Sequence, residues 1–88
     1  MACHFTFTKR FQKHFKDLTE QEKKQLRNKL QLLEENPMHP SLRTKRIKGT
    51  VDLFESSVNM DIRIIWYYEG DKMIILVDVG HHDILNQF

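Results

Sequence analysis

Residues 61–79 read DIRIIWYYEGDKMIILVDV, the segment with the strongest structural signal in the chain. Two apolar runs, 62–68 and 73–79, flank the polar segment Glu69-Gly70-Asp71-Lys72. Each run has strand length and is rich in β-branched and aromatic residues. Between them, Gly70 suits the positive φ of a tight turn. The stretch therefore reads as a β-hairpin. Both runs are almost continuously apolar, as strands are when both faces are covered, so neither reads as an edge strand. Arg63 interrupts the first run. Such a charge is costly unless it is paired or opens onto a groove.

Before the hairpin, residues 51–58 read as a preceding strand. It is joined through Val58-Asn59-Met60-Asp61, where Asn59 also suits positive φ. Residues 37–50 read as a loop with two prolines and the basic cluster Arg43, Lys45, Arg46 and Lys48, ending at Gly49. Asn36-Pro37 stops a helix, because the residue before proline avoids helical angles. That helix starts at Thr19-Glu20-Gln21-Glu22, the spacing of a capping box, and buries Leu26, Leu30 and Leu33. A shorter helix before it is capped by Thr8 and carries Phe11, Phe15 and Leu18 on one stripe. With almost no linker, the two helices should pack as an antiparallel pair. Residues 4–8 alternate as a first strand. The order β-α-α-β-β-β predicts one α+β domain over residues 1–88, with two N-terminal antiparallel helices packed on a four-stranded sheet.

A chain of 88 residues leaves no room for a deep substrate cavity, so any site should be a shallow groove or a sheet face. No apolar run approaches the ~20 residues that span a bilayer, and no export signal is visible at the N-terminus. A single cysteine, Cys3, excludes an internal disulfide and cannot form a Cys-type zinc site alone; it reads as a small packing residue. The expectation is a cytoplasmic protein without membrane, metal or cofactor. The net charge of +2 hides an asymmetry: residues 1–48 carry +7 and residues 49–88 carry −5. The basic half is a candidate surface for phosphates or for an acidic partner.

Three motifs in this order resemble the RelE/ParE toxin superfamily of toxin–antitoxin modules. Lys45-Arg46-Ile47-Lys48-Gly49 is similar to its basic lead into the sheet. Asp61-Ile62-Arg63-Ile64-Ile65-Trp66 is similar to its arginine-bearing strand. Val77-Asp78-Val79-Gly80-His81-His82-Asp83 is similar to its ending, and Phe88 falls where many members have a terminal aromatic. The resemblance implies a RelE-like fold and a cognate antitoxin partner in a hetero-oligomer. It also implies a ribonuclease acting on mRNA at the ribosome or, in the ParE branch, a DNA gyrase inhibitor.

Metal-free RNA cleavage uses the RNA's own 2′-hydroxyl as nucleophile and leaves a 2′,3′-cyclic phosphate. It needs a base, an acid and a cation for the phosphorane. Arg63 is the candidate cation, since arginine grips phosphate in a fork; the bland alternative is an ion pair with Asp61, Glu55 or Asp78. His82 is the candidate acid, because histidine exchanges protons near neutral pH. The resemblance places it where members carry Arg or His. His81 is its weaker neighbour. In an extended tail the two would face opposite ways. Glu55 is the candidate base, with a cross-strand salt bridge to Arg63 as the equal alternative. Arg43, Lys45, Arg46 and Lys48 would hold backbone phosphates, and Phe88 would stack on a base or pack on the sheet. His39 and His14 read as secondary, His14 as a helix-face residue. Glu55 and Ser57 stand where some RelE toxins carry lysines, so a lysine-based proton-transfer scheme does not apply. A gyrase inhibitor, or a RelE-fold binding protein with weakened catalysis, is the competing reading.

Overall fold

The hairpin forms as predicted. In the computed structural model, β4 (Ile62–Glu69) and β5 (Met73–His81) pair antiparallel around Gly70, whose φ is +72°. The structure describes residues 4–88; the side chains of His82 and Gln87, like Cys3, lie outside the described residues. Both strands are interior. The sheet order is β1-β5-β4-β3-β2, with β1 (His4–Phe7) parallel to β5, β3 (Phe54–Ser57) antiparallel to β4, and β2 (Lys45–Arg46) at the far edge.

The sheet thus has five strands, not four. The extra one, β2 (Lys45–Arg46), lies in the basic segment read as loop, where Lys45 and Arg46 pair with Glu55 and Phe54. Two residues carry no alternation, so nothing in the sequence announces the pairing. The strand expected over residues 51–58 shrinks to Phe54–Ser57, and a 3-10 turn, Pro40–Leu42, follows the first helix pair. Among the described non-glycine residues, positive φ falls on Arg43 (49°), not on Asn59. Asn59 instead makes its turn through its side chain: Oδ1 accepts from the backbone N–H of Asp61 and Ile62, both at 2.8 Å. The tail is not extended; His82–Gln87 coils into a 3-10 segment.

Thr8 caps α1 (Lys9–Phe15), and Thr19 and Glu22 form the expected capping box of α2 (Glu20–Glu35). The two helices meet where Lys23 Nζ lies 5.4 Å over the Phe15 ring. Phe11, Leu18, Leu26 and Leu33 pack with Ile62, Ile64, Trp66, Leu76 and Val79 in one core. Each such burial contributes about 1.5–3 kcal/mol. One polar line crosses this core: Trp66 Nε1 donates to Ser56 Oγ at 2.8 Å, Ser56 shares a 2.7 Å hydrogen bond with Thr44, and Thr44 Oγ1 donates to Pro37 O. It ties the central strand to the loop after α2.

The register sorts residues between the two faces. Directly opposed residues of antiparallel strands share a face. Ser57, Arg63 and Gly80 form one cross-strand row, and Lys45, Glu55, Ile65 and Asp78 form the next row on that face. The core-side rows are Ser56, Ile64 and Val79, then Ile62 and His81. A bulge at the Ile65/Trp66 step sets Trp66 opposite Leu76, leaving Val77 as the extra residue. Both Leu76 and Val79 can thereby face the core while Asp78 faces away.

Candidate functional site

Arg63 is held from two sides. Its Nη1 donates to three carbonyls of the β3–β4 turn: Asn59 O at 2.8 Å, Met60 O at 3.1 Å and Ile62 O at 3.2 Å. Its Nε lies 3.9 Å from Glu55 Oε1, and Lys45 Nζ lies 4.0 Å from the same oxygen. Glu55 is buried, at 7% exposure, so a carboxylate is drawn under two cations. Of the three acids considered as partners of Arg63, the structure selects Glu55.

Beside this arginine is a shallow cleft of about 220 Å³. Lys29 from α2, Arg43 from the 3-10 turn and Arg63 from β4 line it together with the hydroxyl residues Ser41 and Ser57 and with Asn59. Three cations from three elements thus border one opening. The Asn59 side chain braces its floor, with Nδ2 donating to Gln25 Oε1 at 2.7 Å. This cleft suits an anion: it offers positive charge, hydroxyl donors and a guanidinium whose orientation is already fixed.

The remaining sequence-predicted residues divide. Arg46 stacks its guanidinium 5.7 Å over the Phe54 ring, and Lys48 is exposed in the following turn. Phe88 lies under the Arg10 guanidinium at 5.1 Å and is half-buried. His39 caps the 3-10 turn, its Nδ1 accepting from Ser41 N at 3.1 Å. His81 belongs to the row of Ile62, on the other pleat face from Arg63, and lines a different cleft. The His82 backbone starts the terminal 3-10 segment; its side chain is outside the described residues.

That different cleft, also about 220 Å³, is bordered by His14, Asp17, Leu18, His81, Asp83 and Ile84. Behind it sits Asp78, fully buried in β5. Arg10 Nε donates to Asp78 Oδ2 at 2.8 Å, His14 Nδ1 hydrogen-bonds Oδ1, and the Val79 N–H donates to Oδ1 at 2.8 Å. Gly80 admits the terminal turn: a Cβ there would meet Ile84 Cγ2 at 2.9 Å.

Sequence reasoning missed Lys29, Asn59 and the Asp78–His14 pair. The first two give no periodic signal, since one is a helix-face lysine and the other a turn residue. Asp78 did offer one: an acid amid Ile74–Val79 residues must find a partner. Among the described residues, no helix is long and apolar enough to cross a membrane, and no three His, Cys, Asp or Glu side chains are placed to hold a metal ion.

Comparison with known proteins bears on the family and the fold. A family model described as the ParE toxin of type II toxin–antitoxin systems matches residues 5–85. Among solved structures, YafQ in the E. coli DinJ–YafQ toxin–antitoxin complex superposes with a TM-score of 0.78 at 18% identity, covering 97% of this chain and 98% of that one. The archaeal RelE–RelB complex of Pyrococcus horikoshii gives 0.75 at 20% identity, over 92% and 96%. A YoeB/ParE toxin from Agrobacterium tumefaciens gives 0.78 at 8%, over 90% and 98%. No curated protein matches the chain.

Proposed function

Because the chain belongs to the ParE toxin family of type II toxin–antitoxin systems, we propose that it is a toxin that cleaves mRNA on the ribosome without a metal ion and is silenced by a cognate antitoxin. The observation that carries the nuclease reading is the fixed Arg63 guanidinium at the mouth of a cleft shared with Lys29 and Arg43. In this reading the cleft receives a backbone phosphate, and Arg63 stabilises the extra negative charge of the phosphorane. Glu55, 3.9 Å from Arg63, takes the 2′-hydroxyl proton, and His82 returns one to the leaving 5′-oxygen. Lys45, Arg46 and Lys48 hold neighbouring phosphates, and Phe88 offers a ring to a base. The antitoxin partner is supported by the toxin–antitoxin complexes among the similar folds.

Primer extension on ribosome-bound mRNA tests this. The wild type should give discrete cuts, and Arg63→Ala should reduce them about 100-fold or more, as losing one oxyanion contact does. His82→Ala should reduce them similarly. Uncut mRNA with the wild type removes the nuclease reading.

A second reading is favoured by the match to a ParE toxin model: the gyrase inhibitor that the sequence resemblance implies for the ParE branch, without nuclease chemistry. Gyrase-dependent DNA damage with intact mRNA would select it.

A further inference from the structure

The second cleft has the parts of an acid–base site that the reading above leaves unused. Asp78 is the most deeply buried carboxylate of the described chain, at 0% exposure, and it engages His14 through Nδ1. A carboxylate on one ring nitrogen fixes the tautomer and the ring plane, leaving Nε2 to exchange protons. The His14 side chain keeps 32% of its surface, and it lines the cleft. His81 lines the same cleft from the end of β5. Two imidazoles therefore border one opening, and one of them is oriented by a buried acid.

Position also argues for joint use with Arg63. Gly80, in the wall of this cleft, is the register partner of Arg63, in the wall of the cationic one. Both clefts are lined by residues at one end of the sheet, where β3 ends, β4 begins and β5 ends. A single-stranded polyanion crossing that end would meet Arg43, Lys29 and Arg63, then His81 and His14. Beyond His14, the exposed Lys9, Lys13 and Lys16 recur at i, i+4 and i+7 along α1 and the residue after it, one cationic stripe that would continue the track.

We infer that His14, oriented by Asp78, is a proton-transfer residue for RNA cleavage and works with His81 across this cleft. The inference rests on the nuclease reading and changes which groups move the protons. One imidazole removes the 2′-hydroxyl proton as O2′ bonds to phosphorus. The P–O5′ bond breaks with its electron pair on O5′, and the other, protonated imidazole supplies a proton there. The products are a 2′,3′-cyclic phosphate and a 5′-hydroxyl, with no co-reactant. The charged and titratable groups around His14 are Asp78 and His81 from β5, Arg10 from its own helix, Asp17 just after that helix, and Asp83 from the terminal turn.

His14→Asn is the decisive variant, because the asparagine amide can keep the bond to Asp78 while removing Nε2. Single-turnover cleavage of ribosome-bound mRNA is followed from pH 5 to 9, with antitoxin binding as the check on folding. His14→Asn and His81→Asn should each slow cleavage about 100-fold or more while antitoxin binding holds, the size of an acid–base contribution. Each should also erase one limb of a bell-shaped pH profile. Wild-type cutting with His14→Asn at the same rate and profile overturns this inference and leaves the nuclease reading standing. So does a slower His14→Asn whose two limbs both persist, since that is a structural loss. A wild type that cuts no RNA overturns both.

Discussion

Glu55 and Arg63 meet on the diagonal between adjacent strands, one row apart on the same face, with Arg63 Nε 3.9 Å from Glu55 Oε1, and Lys45 is the second cation on that oxygen. Glu55→Gln should lower the unfolding free energy by about 1–3 kcal/mol. That is less than the loss of a fully buried pair, because Lys45 is 71% exposed and Arg63 keeps some water. Urea unfolding measures it. A cleavage rate that falls far more than this stability loss accounts for would mark Glu55 as the base; an unchanged rate would leave it a strut.

Gly80 is the point where the terminal turn docks. Gly80→Ala should push Ile84 and its turn off β5, since the new Cβ would sit 2.9 Å from Ile84 Cγ2. A loss of about 1–3 kcal/mol is expected from overpacking. Adding Ile84→Ala should recover part of it, and a double-mutant cycle of thermal melts reads that coupling. Strictly additive losses would mean the turn does not rest on Gly80.

Ser56 has no exposed surface and is the acceptor for the Trp66 indole. Ser56→Ala should leave a buried N–H unsatisfied and cost about 1–3 kcal/mol, a large effect for one oxygen. Trp66→Phe in the same background should make the Ser56→Ala change much milder. Denaturant midpoints of the four proteins decide it.

Asp78→Ala should destabilise the chain by about 2–4 kcal/mol, because it strands the ends of Arg10 and His14 that now meet it. Arg10 is 42% exposed and regains water, which keeps the figure below the upper end for buried pairs. The same change should loosen the terminal segment, since Arg10 also lies over Phe88. Hydrogen exchange at residues 82–88 should rise while exchange in β4 holds; equal protection of both would separate Asp78 from the tail.

Much of the fold was legible in the chain. The apolar runs at Ile62 and Met73, the caps at Thr8 and Thr19, and the stop at Asn36-Pro37 each act through neighbours in sequence, so their signals are local and strong. The two-residue strand Lys45–Arg46 was not legible, because its pairing depends on β3 being there to receive it. The coiled tail was not legible either, since Ile84 packs on Gly80 only after the sheet forms.

The candidate site divides the same way. Residue type and order alone put a guanidinium in an apolar strand, histidines after Gly80, and the basic residues ahead of the hairpin. Folding set the company these residues keep. It gave Arg63 to Glu55, gave His14 to Asp78 across 64 positions, and separated His81 from Arg63 by one step of strand register. Charge pairing and pleat parity depend on contacts between distant segments, and those contacts exist only once the chain has closed on itself.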